Sequence, residues 1–327
     1  MASARSGDDR AAALLRERVR RLFREFPGAL AGEEEPVHQV RVAGRRLRVT
    51  LPLLAGKARG RRLKRARRIL GELTRAAGKG RDLDVLVGLF EERLAGLEAP
   101  SAEQRELLRR LRLARSRSRS RLADGILDLD IDRLRQDLRR IRARGTADAL
   151  TILQRTRKVR ERQGAVLLRG LAEVGGRYDP EALHALRRRV RRLRYTAEVD
   201  DVVRGSESGA STTWKKLQDA IGVLHDVHVL GGWLDRQARR ASARGQRAVA
   251  AAARAERAVF EDEGRRLHWE LLRKGPTEIV VQALGTAGPG APKGRAGKRG
   301  STCSSSSSVT RSPYRAGPRA SPTLSAL

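Results

Sequence analysis

Apolar side chains recur every three or four positions along most of this chain, and that spacing predicts helices. Residues 9–26 place Leu14, Leu15, Val19, Leu22, Phe23 and Phe26 at helical spacing and stop at Pro27-Gly28. Val37, Val40, Leu47, Leu51 and Leu54, with Gly44 as a small residue in the row, predict an amphipathic helix. It should run from Pro36, where a missing N–H is harmless, to about Ala55, with Pro52 kinking its end. Further helices are expected at 59–77 and 81–95, broken by Gly78 and Gly80, and from Ser101, where Gln104 can complete a capping box, to 122. Others are expected at 130–143 and 146–173, from Asp179-Pro180 to a Ser/Gly loop at 205–212, and at 212–221, 225–241 and 243–274.

Beside two of these apolar rows runs the same cationic pattern. His38, Arg41, Arg45, Arg46 and Arg48 recur in register as His184, Arg187, Arg191, Arg192 and Arg194, 146 residues later. The second copy has Leu183, Leu186, Val190 and Leu193 on its inward side. At about 1.5 Å per residue, each stripe is about 15 Å long and borders the buried face. The match continues downstream, where Leu73 to Leu86 aligns with Leu217 to Leu230, pairing Gly78 with Gly222 and Asp82 with Asp226. Two copies of one helical unit account for both matches.

Composition narrows the class. Of 327 residues, 33% are charged and 3% aromatic, so the core must be filled by Leu, Val, Ile and Ala, a supply suited to helices packed through aliphatic seams. The expected fold is therefore all-α. A net charge of +33 calls for a polyanionic partner: nucleic acid, an anionic membrane surface or polyphosphate. The only cysteine, Cys303, gives neither a disulfide framework nor a cysteine-based metal site, and a reducing compartment is expected. The N-terminal residues are not expected to act as a signal peptide, no segment approaches the roughly 20 apolar residues of a membrane span, and a cytoplasmic location is expected. Residues 1–9 and the acid-free Gly/Pro/Ser/Arg-rich tail 285–327 are expected to be disordered. Removing the tail's seven basic residues still leaves about +26 on the body.

The chemistry has three candidates. His225-Asp226 beside His228 invites comparison with metal-dependent phosphohydrolases. The repeat argues against that reading, since Arg81 stands where His225 does and cannot ligate a metal. What persists is the aspartate, and Asp82 and Asp226 are expected to hold stripe arginines in place rather than touch a ligand. Nucleic acid is the second candidate, but aromatics for base stacking are almost absent near the stripes, Tyr195 excepted, and the chain contains no Asn. The third is polyphosphate, a string of anions with nothing else to recognise, suited to guanidinium forks. Arg61, Arg62, Arg188, Arg189 and the 139–144 cluster are expected to be ordinary solvated faces.

These residues resemble the CHAD family, a helical domain named for its conserved histidines. Its pattern of His, Arg three on, basic residues seven and eight on and Arg ten on fits both copies, the second followed by Tyr195 and Glu198. Its Arg-Asp-x-Asp-Val element resembles Arg81 to Val85, with His225 replacing the arginine in the second copy. The resemblance covers about residues 10–275, with repeat 1 at about 10–125 and repeat 2 at about 146–275. It implies two pseudo-symmetric four-helix-bundle repeats in one helical domain with a shared basic groove or pore, polyphosphate binding without catalysis, no cofactor and no metal. It also implies association with polyphosphate granules. The implied binding residues are the ten stripe residues, with Arg81 and Lys216 added. Many relatives carry a triphosphatase-like domain with a Glu-x-Glu-x-Lys signature; Glu33-Glu34-Glu35-Pro36 does not fit it, and the chain is expected to stand alone.

Overall fold

The first motif helix is built as its pattern requires. Val37, Val40, Leu47, Leu51 and Leu54 are all buried, while Arg41, Arg45 and Arg46 are only half-buried beside them. The structure, a computed structural model, describes residues 2–285, except for the side chains of 2–5, Lys79, Arg81 and Ala123. The expected disordered tail falls outside the described residues from 286 onward. The helices are α1 (Ala2–Arg24), α2 (Phe26–Leu30), α3 (Glu34–Leu54), α4 (Arg61–Ala95), α5 (Ala102–Leu127), α6 (Ile131–Ala143), α7 (Ala149–Val174), α8 (Pro180–Arg204), α9 (Ala210–Ala243), α10 (Arg247–Arg273) and α11 (Pro276–Gly285). Among the described residues there is no β-sheet, only an isolated antiparallel bridge between Ala55 and Thr146. None of these helices is long and apolar enough to cross a membrane.

The ends are set by local chemistry. Ser101 and Gln104 form the reciprocal capping box at α5, and Asp179 caps α8 through the Ala182 N–H with Pro180 in the first turn. Gly205 closes α8 at a φ of 71°, in the left-handed region that glycine enters without a Cβ clash.

Two expectations need correction. Residues 2–9, expected to be disordered, belong to α1, because the segment docks on distant chain. Arg10 donates to the carbonyls of Val202 and Val203 at 2.9 and 2.8 Å, and Asp8 accepts the Ala149 N–H at the start of α7. Gly78 and Gly80 do not break their helix, nor does the gap expected at 222–224, at Gly222, interrupt α9. α4 and α9 run through them for 35 and 34 residues, since burial along most of the length offsets the roughly 1 kcal/mol that a mid-helix glycine costs.

Neighbour relations recur in the two halves: α3 packs on α4 and α4 on α5, as α8 packs on α9 and α9 on α10. The buried apolar residues fall into three clusters. One gathers α1, α2, α3, the first part of α4 and α6, with the end of α5, the start of α7 and the end of α8, and another the second part of α7, α8, the first part of α9, Leu271 of α10 and α11. The third combines Phe90 of α4, Leu107 of α5, Trp233 of α9 and Phe260 of α10, so one four-helix core takes two helices from each half. α3 and α8 also touch directly, which makes the two motif helices neighbours.

Candidate functional site

Because α3 and α8 meet, their arginines face a common space. A cleft of about 660 Å³ is lined by Arg41, Arg45 and Arg48 of α3, Arg67 and Arg75 of α4, and Arg188, Arg189, Arg191 and Arg192 of α8. Among the described residues, Asp82 is the one carboxylate in the lining, and no aromatic side chain takes part.

The structure sorts the sequence-predicted residues into three groups. Arg41 bonds Asp82 at 2.8 Å and Arg187 lies 3.8 Å from Asp226, so each copy ties its first arginine to the aspartate of the following helix. A glycine lies beneath each pair. A Cβ on Gly78 would sit 3.4 Å from Arg41 Nε, and one on Gly222 would sit 3.6 Å from Arg187 Nη2. Gly71 likewise lies under Arg48, with a Cβ at 3.3 Å from its guanidinium carbon. These helices therefore carry bare patches that guanidiniums approach closely.

Arg46 and Arg194 form the second group, and they turn away from the cleft. Both bond Glu198, at 3.1 and 3.4 Å, as does Arg18 at 3.3 Å, and both stack over Tyr195. Tyr195 is thereby covered and only 4% exposed, so its ring offers no face to a base.

The third group is the cleft proper. Arg45, Arg48, Arg191 and Arg192 line it and make no ion pair among the described residues. Arg67, which the sequence pattern does not single out, joins them, and its Nε is buried without a hydrogen-bond partner. The field here opposes the charges of Arg45, Arg67, Arg191 and Arg192. Burial first, then Arg191 and Arg41, holds the Arg45 guanidinium far below its ordinary value, and burial with Arg187 depresses Arg191 to about 10. Arg192 and Arg67 are lowered in the same direction, by burial and by arginine neighbours. All remain cationic at neutral pH, so mutual repulsion is retained until an anion neutralises it.

Lys216 is exposed on α9 and does not line the cleft, and the Arg81 side chain lies outside the described residues. Arg188 and Arg189, expected on a solvated face, do line it; Arg189 also donates to Gln163 of α7 at 3.4 Å. His38 sits half-buried one turn before Arg41. His184, at the matching place, has its Nδ1 3.2 Å from Nδ1 of His225, so one ring donates and the other accepts. Burial, Arg188 and Arg187 hold His184 below its ordinary pKa, and burial with Arg187 pushes His225 down to about 3. Both rings are therefore neutral at pH 7. His225, incidental in the sequence comparison, is thus a contact of the motif histidine. Among the described residues, no group of three or more His, Cys, Asp or Glu side chains is placed to hold a metal ion.

The chain is similar to a known family and a known fold. A crystal structure of the CHAD domain from the plant Ricinus communis matches with a TM-score of 0.59 at 21% identity, covering 85% of this chain and 91% of that one. No curated protein matches significantly. The family model of the CHAD domain matches residues 13–235, a span that contains α3, α4, α8 and the cleft between them. On that match over most of its length, and on the two helices that bring one His/Arg pattern to a single cleft, the chain belongs to the CHAD domain family.

Proposed function

We propose that this protein binds inorganic polyphosphate in the α3–α4–α8 cleft, without catalysis, and that it associates through this binding with polyphosphate granules in the cytoplasm. One observation carries the reading: Arg45, Arg48, Arg67, Arg191 and Arg192 converge with no carboxylate partner of their own. A ligand with closely spaced phosphates relieves their repulsion and accepts bidentate bonds from their forks. Nucleic acid is the weaker fit. The lining has no aromatic platform, Tyr195 is covered by arginine, and the chain has no Asn for base edges. In this reading Asp82 and Asp226 orient Arg41 and Arg187, and the two repeats act as pseudo-symmetric suppliers of one groove.

The test removes two cleft arginines, Arg45→Ala with Arg191→Ala, and compares polyphosphate affinity with that of Arg157→Ala with Arg239→Ala. The latter pair is exposed and engaged in local ion pairs. The cleft variant is expected to lose at least tenfold in affinity at moderate salt and the surface variant less than threefold. Equal losses would leave only a diffuse cationic surface. Displacement of bound polyphosphate by single-stranded RNA at matched phosphate concentration would make RNA the ligand instead. Incubation with polyphosphate and Mg²⁺ or Mn²⁺ is expected to release no phosphate.

A further inference from the structure

Arg65 and Arg67 are two positions apart on α4, so they leave the helix on roughly opposite sides. Arg67 lines the cleft described above, and Arg65 lines a second one, of about 510 Å³, at the other side of α4. Lys57, Arg59, Arg61 and Arg62, from the α3–α4 connection and the first turn of α4, face Arg140 and Arg144 of α6 and its C-cap across it. Arg133 completes the ring, and no carboxylate or aromatic side chain among the described residues lines it. The clusters at 61–62 and 139–144, each an ordinary solvated face when taken alone along the chain, are thus brought together by the fold.

The walls of this cleft are fixed. Arg65 is held by two bonds of 2.6 and 2.7 Å to Asp137, which is 1% exposed. The connecting segment is pinned by the Gly56 N–H to the Gly145 carbonyl and the Ala147 N–H to the Leu54 carbonyl. Arg155 donates to the carbonyls of Leu53 and Ala55 from behind. The other seven cations make no ion pair among the described residues. Three basic residues, Arg61, Arg62 and Lys64, also stand at the start of α4, where the first turn holds no acid and the N-cap Gly60 offers no side-chain acceptor. Cations at a helix N-terminus oppose its dipole, and an anion seated there reverses the sign of that interaction.

We propose that this second cleft is a separate site for a short oligophosphate of tripolyphosphate size. The ligand class follows from the walls: many charges in a small volume, guanidinium forks as donors, and, among the described residues, no aromatic ring on which a base could stack. The site does not rest on the reading of the first cleft, and the experiment separates the two.

Tripolyphosphate is titrated calorimetrically into the full chain in low-salt buffer free of phosphate. The wild type is expected to show two classes of site. Arg61→Gln with Arg62→Gln and Arg144→Gln removes one class, and Arg45→Ala with Arg191→Ala removes only the other. Lys57→Gln with Arg59→Gln, in the connection outside any helix, guards against a folding defect and weakens the same class as the first variant at least fivefold. Arg20→Gln with Arg157→Gln and Arg239→Gln, removing equal charge from local surface pairs, retains both classes. Loss of a class in this surface variant, or no change in the α4–α6 variants, overturns the proposal. So does displacement of tripolyphosphate from the Arg45/Arg191 variant by single-stranded RNA at equal phosphate concentration.

Discussion

If the cleft arginines are held against their own field, deleting one should stabilise the empty protein and weaken the bound one. Arg45→Met is the cleanest case, because Met keeps much of the apolar stem while removing the charge. Arg45 falls from its ordinary value to about 9, by burial first and Arg191 next. At about 1.4 kcal/mol per pKa unit, keeping Arg45 charged in the folded state costs at most about 5 kcal/mol. Solvent in the open cleft and counterions screen more than half of that, leaving an expected gain of about 1 to 2 kcal/mol. For a chain of this size the gain corresponds to a rise in Tm of roughly 2 to 8 °C. The assay is thermal unfolding followed by circular dichroism in low-salt buffer without phosphate, repeated at high salt and with saturating polyphosphate. The variant should melt higher than wild type in the first condition and show a smaller advantage in the second. In the third the order should invert, because ligand stabilises whichever form binds it more tightly. An Arg45→Met protein that melts lower than wild type without anion at low salt would refute the argument that this charge is uncompensated.

The glycines under the guanidiniums make a graded prediction: Gly78→Ala, whose Cβ meets Arg41 at 3.4 Å, should raise helix stability by up to about 1 kcal/mol and leave polyphosphate affinity within about twofold. Gly78→Leu should displace Arg41 and lower affinity about tenfold, with calorimetry as the readout for both. The histidine pair sets a pH dependence. His184 and His225 have folded pKa values below the unfolded value near 6.5, so the unfolded chain binds more protons in acid. The contribution of His225 to stability is present above about pH 6.5 and is lost as pH falls toward about 3, by at most about 1.4 kcal/mol per pH unit before screening, and His184 adds a loss in the same direction. Bound polyphosphate should raise both values, so NMR titration of the ring protons should show an upward movement of the pKa of His225 on adding ligand, and no movement would separate the pair from the site.

Much of the site was legible in the sequence because helical periodicity is a local property. The buried rows of α3 and α8 followed from the spacing of Val40, Leu47, Leu51, Leu186, Val190 and Leu193, and the register of Arg45 and Arg191 beside them followed from the same angle of about 100° per residue. The repeat also paired Gly78 with Gly222, yet a glycine in a helix carries two opposite meanings, break or close approach, and only the guanidinium lying across it selects the second. Arg67 had no local signal, since its spacing on α4 resembles that of any solvated arginine. Charge patterns likewise could not separate Arg45 from Arg46. They are adjacent and equally basic, but 100° of rotation sends one into the cleft and the other onto Glu198.

The sequence by itself determined the helical class, the two motif helices, the aspartates that follow them and the excess of positive charge, all fixed by composition and by relations within a few turns of chain. The tertiary structure alone decided which charges have partners. It joined Glu198 to Arg18, 180 residues away, set His225 against His184, and brought the 61–62 and 139–144 clusters around one cleft. Electrostatic energy depends on distance and on exclusion of water, and neither is defined until helices far apart in the chain have packed.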